Sequence, residues 1–147
     1  MNQKEYQVKK IFKHLKKEEI VEQNLTLQFR NREYTYYSPY HLIINIGWDE
    51  IAADTTTEFA HINYLLHEVG HHLHHIHFTE DFDLKAELKE LYYDDINAIE
   101  DYEARRNAYQ LLPLEVEANE IADELFKQVV GDWKIMFGVP FTEDQII

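Results

Sequence analysis

The chain has 147 residues, of which 45% are hydrophobic, and only 4 are Gly and 3 are Pro. This length and composition favour one packed, helix-rich domain spanning residues 1–147 over a disordered or fibrous chain. It contains no Cys, so any transition metal must be held by His and carboxylate side chains. The net charge of −14, from 28 acidic and 14 basic residues, argues against direct binding to nucleic acid. The acidic residues can form a solvated face that keeps the protein soluble, and the alternative is that they attract a basic protein partner. No apolar run approaches the ~20 residues of a membrane span, and the polar start lacks the apolar core of a signal peptide, so we expect a cytoplasmic protein.

The first part of the sequence predicts a helix followed by strands. Apolar residues at helical spacing predict an amphipathic helix over residues 4–21. The next segment is rich in β-branched and aromatic residues. It predicts a short antiparallel sheet of three strands, near residues 25–30, 33–37 and 41–46. A loop should follow, with Thr57 as a possible cap of the next helix.

That next helix is predicted to begin near Glu58 and to run through a histidine-rich stretch, HEVGHHLHHIH, at residues 67–77. Steps of three and four residues define one apolar face, formed by Phe59, Ile62, Leu66, Val69, Leu73 and Ile76. We expect this face to pack on the core.

The second half of the chain is predicted to be helical. The acidic segment after Thr79 has a helical period with an interruption near Asp94 and Asp95, which predicts two helices. Pro113 suits the first turn of another helix, which Gly131 can end. The last stretch, which contains Trp133, Phe137 and Phe141, is expected to pack back on the core.

The histidine-rich stretch contains the motif HExxH, formed by His67, Glu68 and His71. Residues four apart on a helix project from the same side about 6 Å apart along the axis, so both imidazoles can reach one zinc ion at ~2.0–2.1 Å. Glu68 lies about 100° further round the helix, where its carboxylate can act on a water molecule rather than bind the metal. The spacing therefore predicts two zinc ligands and a catalytic base.

A catalytic zinc has three protein ligands, and two regions compete to supply the third. The pattern HExxHxxHxxH resembles the metzincin pattern HExxHxxGxxH, which implies His77 as a third ligand, but on an unbroken helix His77 lies about 15 Å along the axis from His67. Glu115 and Glu117 lie on the two borders of the buried stripe of the helix after Pro113, and Asn119 can orient Glu115 or a histidine ligand. We favour Glu115.

Small residues support a close approach of this later helix to the HExxH helix. Ala118 and Ala122 have little side-chain bulk and lie in its buried stripe, whereas Glu120 and Glu124 fall on the opposite, solvated side. A site shared between the two helices is therefore expected.

The two segments HEVGHHLHH and EVEANEIA together resemble the ImmA/IrrE family of small gluzincin-type zinc metallopeptidases, whose signature is HExxH followed by ExxANxFA. The resemblance implies a zincin-like fold, with the short sheet packed on a mainly helical body around the HExxH helix. It matches His67, His71 and Glu115 to the family's ligands of one catalytic zinc ion, and Glu68 to its catalytic glutamate. The 43 residues between His71 and Glu115 form a long acidic insertion.

The resemblance implies hydrolysis of a peptide bond in a protein substrate, such as a basic helix-turn-helix repressor. A Tyr or His is the usual helper for the oxyanion, and the insertion offers Tyr93, Tyr102 and Tyr109. Two alternatives stay open: a catalytically silent binding module with this fold, and a metal-buffering protein that uses the remaining histidines. These histidines are assigned to surface or accessory positions, and they are His72, His74, His75 and His77.

Overall fold

A computed structural model describes residues 3–54 and 58–142 of the chain. This part is mostly helical and carries one three-stranded sheet, so the predicted α+β class is confirmed. None of its helices combines the length and the apolar character that crossing a membrane requires. The elements in chain order are α1 (Gln3–Lys17), β1 (Thr26–Arg30), β2 (Tyr36–Ser38), β3 (Ile43–Gly47), α2 (Trp48–Ala53), α3 (Ala60–His77), α4 (Thr79–Asn97), α5 (Tyr102–Gln110), α6 (Pro113–Gly131) and α7 (Trp133–Phe137).

The three predicted strands are present, but the sheet is mixed rather than antiparallel. β3 lies between the other two strands and pairs in parallel with β1 and antiparallel with β2. Ile44, Asn45 and Ile46 of β3 are fully buried, which suits a central strand, whereas no residue of β1 or β2 is fully buried. The antiparallel prediction was wrong because it treated strands consecutive in the sequence as neighbours in the sheet.

The segment between the sheet and the histidine-rich helix was predicted to be a loop, but part of it is helical. Trp48–Ala53 form α2, which buries Ile51 completely and has acidic residues in its first turn, where they favour a helix. The predicted cap, Thr57, lies outside the described residues. α3 begins at Ala60 rather than near Glu58.

α3 carries residues 67–77 and contacts both the sheet and several other helices. Its predicted apolar face is buried at Ile62, Leu66 and Val69, in one core with residues of α1 and β3. Towards the end of the helix this face is less buried, since Leu73 is only partly covered and Ile76 is exposed. α6 packs along another side of α3, and α4 contacts both helices.

The acidic segment forms two helices, as predicted, but the break comes later than expected. α4 continues through Asp94 and Asp95, and α5 begins at Tyr102. The Asp101 carboxylate accepts a hydrogen bond of 2.9 Å from the backbone N–H of Ala104. This cap, rather than the two aspartates, marks the start of the second helix.

The end of the described chain agrees with the prediction. α6 begins at Pro113 and ends at Gly131. In α7, Trp133 and Met136 are buried in the main core, and Phe141 packs edge-on against Trp133 at a ring distance of 5.2 Å. The last stretch therefore packs back on the core.

Candidate metal centre

α3 and α6 lie very close together where small residues face one another. A Cβ atom built on Gly70 of α3 would lie 2.5 Å from the carbonyl oxygen of Ala118 on α6. Any side chain at position 70 would therefore force the two helices apart. Ala118 was expected to allow this approach, but the matching glycine was overlooked, although it stands inside the HExxH motif.

Three predicted site residues converge between these two helices. His67 Nε2 lies 3.0 Å from Glu115 Oε1, and His71 Nε2 lies 3.2 Å from the same oxygen. Their three ligand atoms are within 4.8 Å of one another, and the Glu115 side chain is almost completely buried. This group could hold a metal ion.

The hydrogen bonds around His67 fit a metal ligand. Its Nδ1–H donates to Asn119 Oδ1 at 2.7 Å, which leaves Nε2 with a lone pair in the neutral ring. A lone pair and a carboxylate oxygen 3.0 Å apart repel each other unless a proton or a cation lies between them. A cation bound by both atoms removes this conflict without protonating the ring. Of the two roles foreseen for Asn119, the structure therefore supports the contact with a histidine.

Neither alternative third ligand lies at this cluster. α3 continues without a break to His77, which is exposed. Glu117 points to the other border of α6, where Oε2 lies 3.5 Å from Lys85 Nζ. Across residues 3–54 and 58–142, the one group of this kind able to hold a metal ion is His67, His71 and Glu115.

Glu68 lies beside the cluster and outside it, as its position on the helix predicts. Its side chain is buried but lines the same cleft as His67 and His71. Burial raises the pKa of the Glu68 carboxyl above its ordinary value, against the lowering effect of the two histidines. A raised pKa brings a carboxylate closer to the range in which it can accept and return a proton near neutral pH.

The charges of the cluster favour an ionised Glu115. Burial alone raises the pKa of this carboxyl, but without a bound cation the hydrogen bonds that protonated His67 and His71 donate outweigh that effect and hold the pKa far below its ordinary value. Burial lowers the pKa of His67, but the hydrogen bond to Glu115 and the charges of Glu68 and Glu115 together raise it, which favours a proton between Nε2 and Oε1 when no metal is bound. A metal ion bound by both atoms would take the place of that proton and neutralise the same buried carboxylate.

A cleft of about 1010 Å³ adjoins the cluster. Its lining includes residues of the β2 region, α3, α4, α5 and α6. Of the tyrosines considered as oxyanion helpers, Tyr102 and Tyr109 line this cleft, whereas Tyr93 lines a smaller depression with Asp94. The acidic insertion therefore contributes directly to the walls of the site.

Lys89 lies at the site, although its sequence position did not predict a role there. Lys89 of α4 places Nζ 3.2 Å from Glu115 Oε2 and donates a hydrogen bond of 2.7 Å to the Tyr109 hydroxyl. The available signal was weak: Lys85 and Lys89 are the only basic residues between His77 and Arg105, and their spacing of four puts both on one side of a helix.

Two of the four remaining histidines are buried rather than at the surface. His72 donates from Nε2 to Glu22, so its Nδ1 accepts a hydrogen bond of 2.9 Å from the Tyr37 hydroxyl. His74 Nε2 donates to Asp81 at 2.8 Å. These hydrogen bonds connect α3 to the segment before β1, to β2 and to α4. The two buried histidines therefore have hydrogen-bond partners within the fold.

Comparison with protein-family models, with curated proteins and with solved structures gives no significant match to this chain.

Proposed function

We propose that this protein is a zinc-dependent metallopeptidase of the gluzincin type that hydrolyses a peptide bond in a protein substrate. The observation that carries the proposal is the convergence of His67, His71 and Glu115 from two helices, with Glu68 beside them in an accessible cleft. Three protein ligands leave one position for a water molecule, which is the arrangement of catalytic rather than structural zinc sites. A zinc ion held here would supply Lewis acidity, which polarises the scissile carbonyl and acidifies water.

Glu68 is proposed as the general base and acid. In this role its carboxylate takes a proton from the attacking water and later delivers it to the leaving amine nitrogen. The support is its placement next to His67 on the cleft side of α3 and its burial, which keeps bulk water away from the carboxylate.

Tyr109 is the best supported donor to the oxyanion. Its hydroxyl oxygen accepts a hydrogen bond from Lys89, which leaves the hydroxyl proton available to donate into the cleft. Tyr102 lines the same cleft, but it is 65% exposed, against 38% for Tyr109, and is therefore held less firmly. Tyr109 is therefore the residue we assign to this role.

An extended substrate is proposed to bind along β2. β3 is paired on both sides and therefore offers no free edge. Among the described strands β2 pairs only with β3, and Tyr36 and Tyr37 of β2 line the cleft. A peptide added to β2 would lie beside the cluster and gain main-chain hydrogen bonds.

We further infer a zincin-like fold and membership of the ImmA/IrrE family. In support, Ala118 lies where α6 approaches Gly70, and Asn119 orients a predicted ligand, so both residues of the second motif have a physical role. A basic helix-turn-helix repressor is the proposed substrate, because the net charge of −14 favours a basic partner. Cytoplasmic localisation stays a prediction.

The test compares the wild type with Glu68→Gln, each assayed for zinc content and for cleavage of a basic repressor encoded beside this protein's gene. The proposal predicts equal zinc content and a loss of cleavage of about 10²–10⁴-fold in the variant. Equal cleavage by both proteins, or zinc binding by the wild type with no cleavage at all, would contradict it.

A further inference from the structure

The two oxygens of the Glu115 carboxylate have different partners. Oε1 lies 3.0 Å from His67 Nε2 and 3.2 Å from His71 Nε2. Oε2 lies 3.2 Å from Lys89 Nζ. The carboxylate therefore presents one oxygen to the histidines and the other to an ammonium group.

Lys89 is itself held firmly. Its ammonium donates to the Tyr109 hydroxyl at 2.7 Å and lies 4.6 Å from the centre of the same ring, and its side chain is only 25% exposed. α4 supplies the lysine and α5 supplies the tyrosine, so both members of the Lys89–Tyr109 pair belong to the acidic insertion.

We propose that Lys89 is a positioning residue that restricts Glu115 to binding a metal through Oε1 alone. Carboxylates bind metals through one or both oxygens, and a hydrogen-bonded ammonium on Oε2 makes the second mode unfavourable. With one oxygen excluded, a coordination position stays available for the attacking water. The inference rests on the proposed metal site and adds a role for the insertion.

The sign of the effect on metal affinity distinguishes this role from ordinary support of a ligand. Residues that orient ligands typically contribute about 10–100-fold to metal affinity. The ammonium group of Lys89 instead repels a metal cation and partly neutralises the negative charge of the Glu115 carboxylate. Both effects oppose metal binding. Removing it should leave the affinity unchanged or increase it.

The experiment uses Co²⁺ as a spectroscopic probe in the full chain, with Lys89→Met, Lys89→Arg and the matched control Lys85→Met. Lys85 lies one turn earlier on α4 and pairs with Asp81 and Glu117, neither of which belongs to the metal cluster. The visible d–d bands of Co²⁺ weaken when its coordination number rises. We expect weaker bands in Lys89→Met, with Co²⁺ affinity equal to or above that of the wild type, and wild-type bands in Lys89→Arg and Lys85→Met.

Unchanged bands in Lys89→Met would overturn the inference, and so would a 10–100-fold loss of Co²⁺ affinity, which is the effect of a supporting residue. Lys89→Gln removes the charge while keeping a polar side chain, and it provides the same comparison if the Met variant does not fold. A wild type that binds no Co²⁺ would overturn both proposals. A wild type that binds Co²⁺ but cleaves nothing refutes the peptidase proposal, while the band comparison still supports or overturns the role of Lys89.

Discussion

His67 on α3 donates a hydrogen bond of 2.7 Å to Asn119 on α6, so the helix that supplies Glu115 also orients one of the histidines. Both helices therefore contribute to the position of the same imidazole ring. The contact fixes which nitrogen of His67 carries the proton and leaves Nε2 available to a metal.

Asn119→Ala should weaken zinc binding by about 10–100-fold, because His67 loses the acceptor that fixes its tautomer and orientation. Competition titration against a zinc-binding dye measures the change. Gln128→Ala, on the exposed side of the same helix, is the control and should bind zinc like the wild type. Wild-type affinity in Asn119→Ala would show that the contact does not orient a ligand.

Gly70→Ala should destabilise the protein, although replacing Gly by Ala inside a helix ordinarily stabilises it by roughly 0.5–1 kcal/mol. The added methyl group would lie 2.5 Å from the Ala118 carbonyl oxygen, so the helices must separate. We expect the free energy of unfolding to fall by about 1–3 kcal/mol, as for other overpacked sites, and zinc affinity to fall with it. Urea denaturation measures the first quantity.

Gly131→Ala is the matched control for that experiment. Gly131 also lies in a helix, but a Cβ atom there would meet no atom within 4 Å. This variant should be as stable as the wild type or slightly more stable. Equal effects of the two substitutions would mean that the close contact at position 70 does not limit the packing of α3 on α6.

His61 should make the folded state sensitive to mild acid. Burial, with a smaller contribution from the charge of Lys4, lowers the pKa of this histidine to about 4, and its Nε2–H donates to Gln7 Oε1 at 2.7 Å. Because the unfolded chain binds the proton near pH 6.5 and the folded chain does not, stability is full above pH 6.5 and is lost as the pH falls towards 4.

Between pH 7 and pH 5 this histidine should lower the free energy of unfolding by about 2 kcal/mol. His61→Gln, which cannot take up a proton, should lose correspondingly less stability over the same interval. Urea denaturation of both proteins at the two pH values, with metal removed by a chelator, measures the difference. The same pH dependence in both proteins would refute the assignment to His61.

The cluster residues could be predicted from the sequence because two local patterns determine their placement. The spacing of His67 and His71 puts both rings on one side of any helix. Glu115 and Glu117 both border a buried stripe, and Asn119, one turn after Glu115 and on its side, favours Glu115. The exposed position of His77 follows from the same geometry, since nothing in the sequence breaks α3 before it.

Lys89 and the order of the strands could not be predicted in the same way, because both depend on how distant segments meet. Whether Lys89 reaches Glu115 depends on how α4 returns across α6, which no local pattern specifies. The burial of His72 depends on Glu22, which lies 50 residues earlier in the chain. A single apolar stripe predicted one buried face for α3, whereas the folded helix is covered on several sides.

The most direct test of the metal centre is the zinc content of purified protein by elemental analysis, in the wild type, Glu115→Gln, Glu117→Gln and His77→Gln. We expect one zinc ion per chain in the wild type and in the last two variants, and its loss from Glu115→Gln. Full zinc content in Glu115→Gln, or loss of zinc from Glu117→Gln or His77→Gln, would refute the assignment of the three ligands.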